Sequence, residues 1–184
     1  MMLSMNVGGY RLMENVTIRK ADLSDLAAIK WVSEKTFEET FSHLNSPEDM
    51  ALYFQENTNV AVLIREMDNP DSAFYIAEDQ GEIVGYIKIN RGPAQTEPGH
   101  DDALEVQRLY VLKAYKGEGI GRRLMQQAID QAIDSACHYI WLGVWEHNDK
   151  AIRFYEKLGF RPFGEHLFML GSDPQTDLLM RLDV

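Results

Sequence analysis

Apolar positions along this chain recur at two spacings, and the changes from one to the other divide it into elements. Val16-Thr17-Ile18-Arg19 reads as a short strand. Asp22 with Asp25 three residues on is a helix-start signal for a stretch in which Leu26, Ile29, Val32, Phe37 and Phe41 recur at helical spacing. Ser46-Pro47-Glu48-Asp49 opens another helix. Beyond Asn69-Pro70-Asp71, the runs Ala73 to Ala77 and Ile83 to Ile89 flank the acidic, glycine-ended turn Glu78-Asp79-Gln80-Gly81, which predicts an antiparallel hairpin. Arg91 to Asp102 reads as a loop and Leu104 to Val111 as a strand. After a glycine-rich turn, Ile120, Leu124, Ala128, Ala132 and Ala136 fall at every fourth position, widened by Met125, Ile129 and Ile133, so this helix packs on a sheet. Tyr139 to Val144 is a further strand and Asn148 to Leu158 an amphipathic helix stopped by Gly159. Two closing strands are expected over Phe160 to Met169 and Thr176 to Leu182. Hairpins at both ends with strand–turn–helix units between them predict an α/β chain with a mixed sheet.

Residues 1–14 hold four Met and the pair Gly8-Gly9 with no apolar period, so a flexible leader is expected there and a single domain over 15–184. No apolar run approaches the roughly 18 residues of a membrane span, and the opening residues lack a signal peptide's basic region; a cytoplasmic location is expected. Charge then narrows the partners. With 29 acidic against 18 basic residues the net charge is −11, which argues against nucleic acid and suits a cationic small molecule, although acidity also serves solubility alone. The single cysteine, Cys137, excludes an internal disulfide and a thiolate zinc cluster, and it reads as a buried structural thiol; no metal is expected.

Two segments carry chemistry. Lys116-Gly117-Glu118-Gly119-Ile120-Gly121-Arg122-Arg123 lies between a strand and a helix, where successive backbone N–H groups and a helix N-terminus can face a diphosphate. It has neither the lysine–hydroxyl pair of a nucleoside-triphosphate loop nor dinucleotide spacing, and a tight structural connection is the alternative reading. In the later helix, Asn148 and Tyr155 stand seven apart and share a face with Ile152, among the apolar Ala151, Phe154 and Leu158. A polar pair on a packing face asks for a ligand; otherwise the Tyr hydroxyl reaches a backbone group at the core edge.

At these residues the chain resembles the GCN5-related N-acetyltransferase (GNAT) superfamily. The resemblance runs from Leu104-Glu105-Val106-Gln107-Arg108-Leu109-Tyr110-Val111 through Lys116-x-x-Gly119-x-Gly121 to Asn148-x-x-Ala151-x-x-Phe154-Tyr155-x-x-Leu158-Gly159-Phe160. Lys116 stands where family turns usually begin with Gln or Arg. A closer similarity, to bacterial spermidine/spermine N-acetyltransferases of the PaiA type, includes Thr36-Phe37, Thr40-Phe41, Asn45-Ser46-Pro47-Glu48, Trp141 to Glu146, His166 and Gln175-Thr176-Asp177. The resemblance implies a mostly antiparallel sheet splayed between its fourth and fifth strands, with acetyl-CoA wedged in the gap. Pantetheine would pair with backbone at Leu109 and Val111, and the diphosphate with amides from Gly117 to Arg122, including Glu118 and Ile120.

An alkylamine has a pKa of roughly 10 and must lose a proton before it attacks a thioester. By resemblance Glu105 is the first candidate for the base and Tyr155 the donor to the leaving thiolate. Some polyamine enzymes place a Glu where this chain has Gln107. A backbone N–H near Tyr110 or Val111 is the candidate oxyanion donor. Asn148 would hold the pantetheine or phosphate arm and Lys157 an outer phosphate, though Lys157 also reads as a solvated helix residue. Glu38, Glu39, Trp145, Glu146 and His166 are candidates to hold ammonium groups, and each also reads as a surface or packing residue. The acceptor expected is a small cationic amine, with a polyamine first and a peptide terminus or another small amine as the alternative. A CoA-binding module without catalysis and a homodimer both stay open.

Overall fold

The computed structural model describes residues 16–42, 46–170 and 173–184. The expected leader, residues 1–14, lies outside them. Seven strands form one sheet in the order β1-β2-β3-β4-β5-β7-β6. β1 is Val16–Lys20, β2 Ser72–Asp79, β3 Glu82–Asn90, β4 Ala103–Val111, β5 Tyr139–Trp145, β6 Arg161–Leu170 and β7 Asp173–Asp183. Every neighbouring pair is antiparallel except β4 with β5. The β2–β3 connection is shorter than the acidic run suggested: Gln80 and Gly81, both at positive φ (52° and 87°), make a two-residue turn whose twist matches the strands.

Alternation along the strands sends side chains to two cores. On one face Tyr75, Ala77, Ile87, Ile89, Leu104, Val106, Ile140, Leu142 and Met180 meet Leu124, Met125, Ala128 and Ala132 of α4 (Ile120–Asp134). α5 (Asp149–Lys157) joins this face and crosses α4 closely enough that a Cβ on Gly121 would stand 3.4 Å from the Phe154 ring. On the other face Phe74, Ile76 and Tyr86 meet Ile29 and Val32 of α1 (Leu26–Phe41). The apolar period overshoots in α4: the helix ends at Asp134, and Ala136 adopts φ 54° so that the Cys137 N–H can return to the Ala132 carbonyl at 2.9 Å. Cys137 therefore follows the helix rather than lying in it; it is half-buried, and burial pushes its thiol pKa up.

The segment opened by Ser46 holds two helices, α2 (Pro47–Asn57) and α3 (Val60–Met67). Asn59 divides them by accepting the Val62 N–H on its side chain at 2.9 Å. The second helix places Glu66 over the sheet between two buried cations. Glu66 Oε1 lies 2.8 Å from Lys88 Nζ, and the Arg108 fork donates to both Glu66 oxygens at 2.7 and 3.0 Å. Burial lowers the Lys88 pKa, and the neighbouring guanidinium adds to this. Glu66→Gln is expected to cost about 3 kcal/mol, the lower end for breaking a buried pair because Glu66 keeps some exposure. Urea denaturation checks this: the midpoint falls with the slope unchanged, whereas an unmoved midpoint would make the triad dispensable.

Candidate active site

Only Ala103–Glu105 of β4 pairs with Tyr139–Trp141 of β5. β5 then stays on β7 to its end at Trp145, while β4 continues to Val111 against β3. The cause of the separation lies in β4. Between the pairs Ile89↔Val106 and Lys88↔Arg108, residue Gln107 is left over as a bulge, which bends and twists the strand that carries it. Past Glu105, the edge of β4 that faces β5 thus lines a gap. The Leu112 N–H donates to the Val84 carbonyl of β3 at 3.0 Å. By the two-residue period, Tyr110 also turns its backbone groups to β3, and Leu109 and Val111 turn theirs into the gap. The bend at Gln107 stands three residues before Tyr110, the first of the candidate oxyanion donors.

At the mouth of this gap the chain turns into α4. Gly117 and Gly119 take φ 88° and 80°, with nothing within 4 Å of where a Cβ would stand. Gly119 is the N-cap and supplies no side-chain cap, so the amides of the first turn, Ile120, Gly121 and Arg122, keep no intrahelical acceptor. An open approach with unanswered N–H groups at a helix N-terminus fits a diphosphate. Lys116, Glu118 and Arg122 are exposed around it.

On the α4 face, Tyr155 of α5 packs into the core that Leu109 and Val111 of β4 also join. It is buried, and no described residue hydrogen-bonds its hydroxyl, so the alternative of a Tyr satisfied by backbone is not realised. Burial pushes its pKa well up, and the nearby Tyr110 hydroxyl, which comes from the opposite face of the sheet, adds to the rise. The phenol keeps its proton at every physiological pH. Asn148 spends its side-chain oxygen on the Ala151 N–H at 3.2 Å as the N-cap of α5, which leaves its NH₂ for other partners. Lys157 is exposed in the last turn of α5.

Glu105 sits at the apex where the strands part, 3% exposed. Its Oε2 accepts from the Asn90 amide at 2.9 Å and the Thr96 N–H at 3.0 Å, and its Oε1 accepts from the Thr96 hydroxyl. Asn90 also donates to Gln107 Oε1 at 2.9 Å, so Glu105 and Gln107 do share a face. The segment between β3 and β4 is strapped down further. The Trp141 indole donates to Gln95 at 2.7 Å, His100 bonds the Tyr139 hydroxyl at 2.7 Å, and His166 pairs with Glu97. Asn90, Gln95, Thr96 and Glu97 escaped the sequence reading because a stretch without period gives no signal of what it packs on.

Two of the acceptor candidates, Trp145 of β5 and His166 of β6, are both in register with Asp177 of β7. Glu38 is exposed on α1, Glu39 accepts the Lys113 N–H at 3.0 Å, and Glu146 is exposed beside His147. Trp145 meets the ring of Phe41, and Phe41 continues through Phe37 to Tyr53 of α2 as an aromatic wall. His166 is engaged by Glu97 as stated. An acid the reading named only within a resemblance block, Asp177 of β7, does face the gap side; the glycine inside Trp141-Leu142-Gly143-Val144-Trp145 was the available signal, since a strand glycine marks a close approach.

A sheet split beside a glycine-entered helix, with the backbone of one strand unpaired along the split, fits a class of protein that binds an acyl-CoA thioester. The sequence pattern of the Acetyltransferase (GNAT) family matches residues 27–160, and the chain belongs to that family. It is an acetyl-CoA-dependent N-acetyltransferase. An uncharacterized N-acetyltransferase from Lactobacillus delbrueckii subsp. lactis is 38% identical over 92% of this chain and 98% of its own length. The spermine/spermidine N(1)-acetyltransferase of Bacillus subtilis is 28% identical over 47% of this chain and 57% of its own length. Among solved structures, the PaiA N-acetyltransferase of Thermoplasma acidophilum in complex with coenzyme A superposes with a TM-score of 0.76 at 21% identity, over 92% of this chain and 99% of that one, a likeness of fold.

Proposed function

We propose that the chain acetylates a primary amine of a polyamine by direct attack on acetyl-CoA in the gap between β4 and β5. The observation that carries this reading is the gap itself, with open glycines and unanswered amides at its mouth, Leu109 and Val111 backbone turned to it, and the buried Tyr155 packed beside that strand. Leu109 and Val111 would hold the pantetheine as an added strand, the amides of Gly117 to Arg122 the diphosphate, and Asn148 the arm between them through its free NH₂. Bound there, acetyl-CoA supplies the activated carbonyl. The similarity to a spermine/spermidine enzyme over 47% of the chain, the aromatic wall and the net charge of −11 favour a multivalent cation as acceptor.

Glu105 takes the amine proton in this scheme. A carboxylate has about four acceptor sites, and the three bonds counted above leave Oε1 room for one more donor, the substrate or a water. Tyr155 donates to the sulfur as it leaves. Full transfer from a phenol of raised pKa to a thiolate near 8.5 runs uphill in water, but the same burial that penalises phenolate penalises thiolate, and the two are brought closer to balance. Attack is direct, so no acetyl-enzyme forms.

Thiol release across spermidine, spermine, an N-terminal peptide and an aminoglycoside, with mass detection of the product, tests the acceptor. The polyamines should give the highest kcat/KM, falling with salt more steeply than for a singly charged amine; faster turnover of the peptide would remove the polyamine. Glu105→Gln is expected to depress kcat/KM most at low pH and to recover towards the amine's own pKa. A loss equal at every pH would assign Glu105 to holding Thr96 rather than to proton transfer.

A further inference from the structure

Asp177 is placed opposite Trp145 of β5 and opposite His166 of β6, on the sheet face that also carries Tyr110. Its nearest lateral neighbour towards the gap has no side chain. A Cβ built on Gly143 would lie 3.3 Å from Asp177 Oδ2, so the carboxylate leans across Gly143, from β7 towards β4. On β4 the first polar group it influences is the Tyr110 hydroxyl, the same group that Tyr155 meets from the other face.

Among the described residues the carboxylate has no partner to account for this position. No described residue donates a hydrogen bond to it or stands within salt-bridge distance. The imidazole in register with it, His166, turns its Nδ1 to Glu97 instead. Burial raises the Asp177 pKa to about 6, and His166 offsets only part of the rise. A half-buried carboxylate without donors destabilises the fold at neutral pH. The cost is recovered when a cation arrives.

We propose that Asp177, reaching over Gly143 into the gap, binds an ammonium group of the acceptor amine. This rests on the reading of the acceptor as a cationic amine and supplies the residue that selects it. The expectation is separate from the proton transfer given to Glu105: Asp177 orders the substrate by charge, so its loss falls on KM.

Steady-state kinetics of the full chain at saturating acetyl-CoA, with spermidine as the probe, tests it. Asp177→Asn should raise KM for spermidine at least tenfold with kcat within about threefold, and Gly143→Val, which fills the space the carboxylate leans across, should do the same. CoA affinity should stay unchanged in both. Melting temperature gives a readout that a structural role would move the other way. The folded pKa lies above the unfolded one, so the penalty is absent below about pH 4 and complete above pH 6. His166 of β6 and Tyr110 of β4 face the group, while β5 contributes the uncharged Gly143 and Trp145. Asp177→Asn should therefore melt higher than the parent at pH 8, with the difference closing towards pH 4. An unchanged KM, a fall in kcat alone, or a lower melting temperature at pH 8 would each overturn the proposal while leaving amine acetylation standing. If the parent neither binds spermidine by calorimetry nor acetylates any amine, both readings fall together.

Discussion

Tyr155→Phe is expected to lower kcat by about 10²–10⁴-fold, the range for losing a positioned acid–base group, with CoA affinity within a few fold. The ring fills the same space in both side chains, so packing against Phe154 and Phe160 survives and the change is confined to one O–H. That O–H has no structural duty to lose, since no described residue hydrogen-bonds it. Stability should hold while turnover falls. Single-turnover measurement at saturating acetyl-CoA isolates the chemical step; an unchanged rate there would remove Tyr155 from the donor role.

Gly119→Asp should abolish the rise in melting temperature that CoA gives the parent. Ligand that binds only the folded protein stabilises it by RT ln(1 + [L]/Kd), about 2.7 kcal/mol at a hundredfold excess over Kd, so a lost shift reports lost binding. The substitution acts twice. A side chain must be accommodated at φ 80°, where an L residue is strained, and a carboxylate then stands before the amides of Ile120, Gly121 and Arg122. The strain also weakens the apo protein, so the shift on adding CoA, and not the melting temperature alone, is the quantity compared. Gly119→Ala separates strain from charge, and should lose only part of the shift. If Gly119→Asp binds CoA as the parent does, the turn is a structural connection.

Local chemistry made much of this legible in the sequence. The capping box of Asp22 and Asp25, the Gly81 turn, the period of α4 and the glycines at 117 and 119 each act over a few residues, and the structure has each of them in place. Where the reading stopped short, two distant segments had to be known together. The break at Asn59 depends on an Asn side chain that looks like any other polar residue until a second helix follows it. Glu66, Lys88 and Arg108 are scattered ordinary charges in sequence and one buried triad in space. Asp177 gains its meaning from Gly143, which lies on another strand. Ala136 misled in the other direction, since alanine continues an apolar period as well as it fills the last position of a helix stop.

Gln107 is surplus by one residue, and the surplus reaches beyond the opening of the sheet. Strand faces alternate, so one extra residue lets two consecutive side chains lie on the same side: Gln107 joins Asn90 and Glu105, and Arg108 next to it reaches Glu66. Removing that single codon would bring Glu105 and Arg108 two positions apart, so both keep their face in a regular strand and only the bulge is lost. The carboxylate and the guanidinium would keep their partners, while β4, no longer bent, is free to zip along β5 beyond Glu105. The opening of the sheet thus depends on a residue being present at 107 more than on which residue it is: the position is guarded by counting rather than by chemistry.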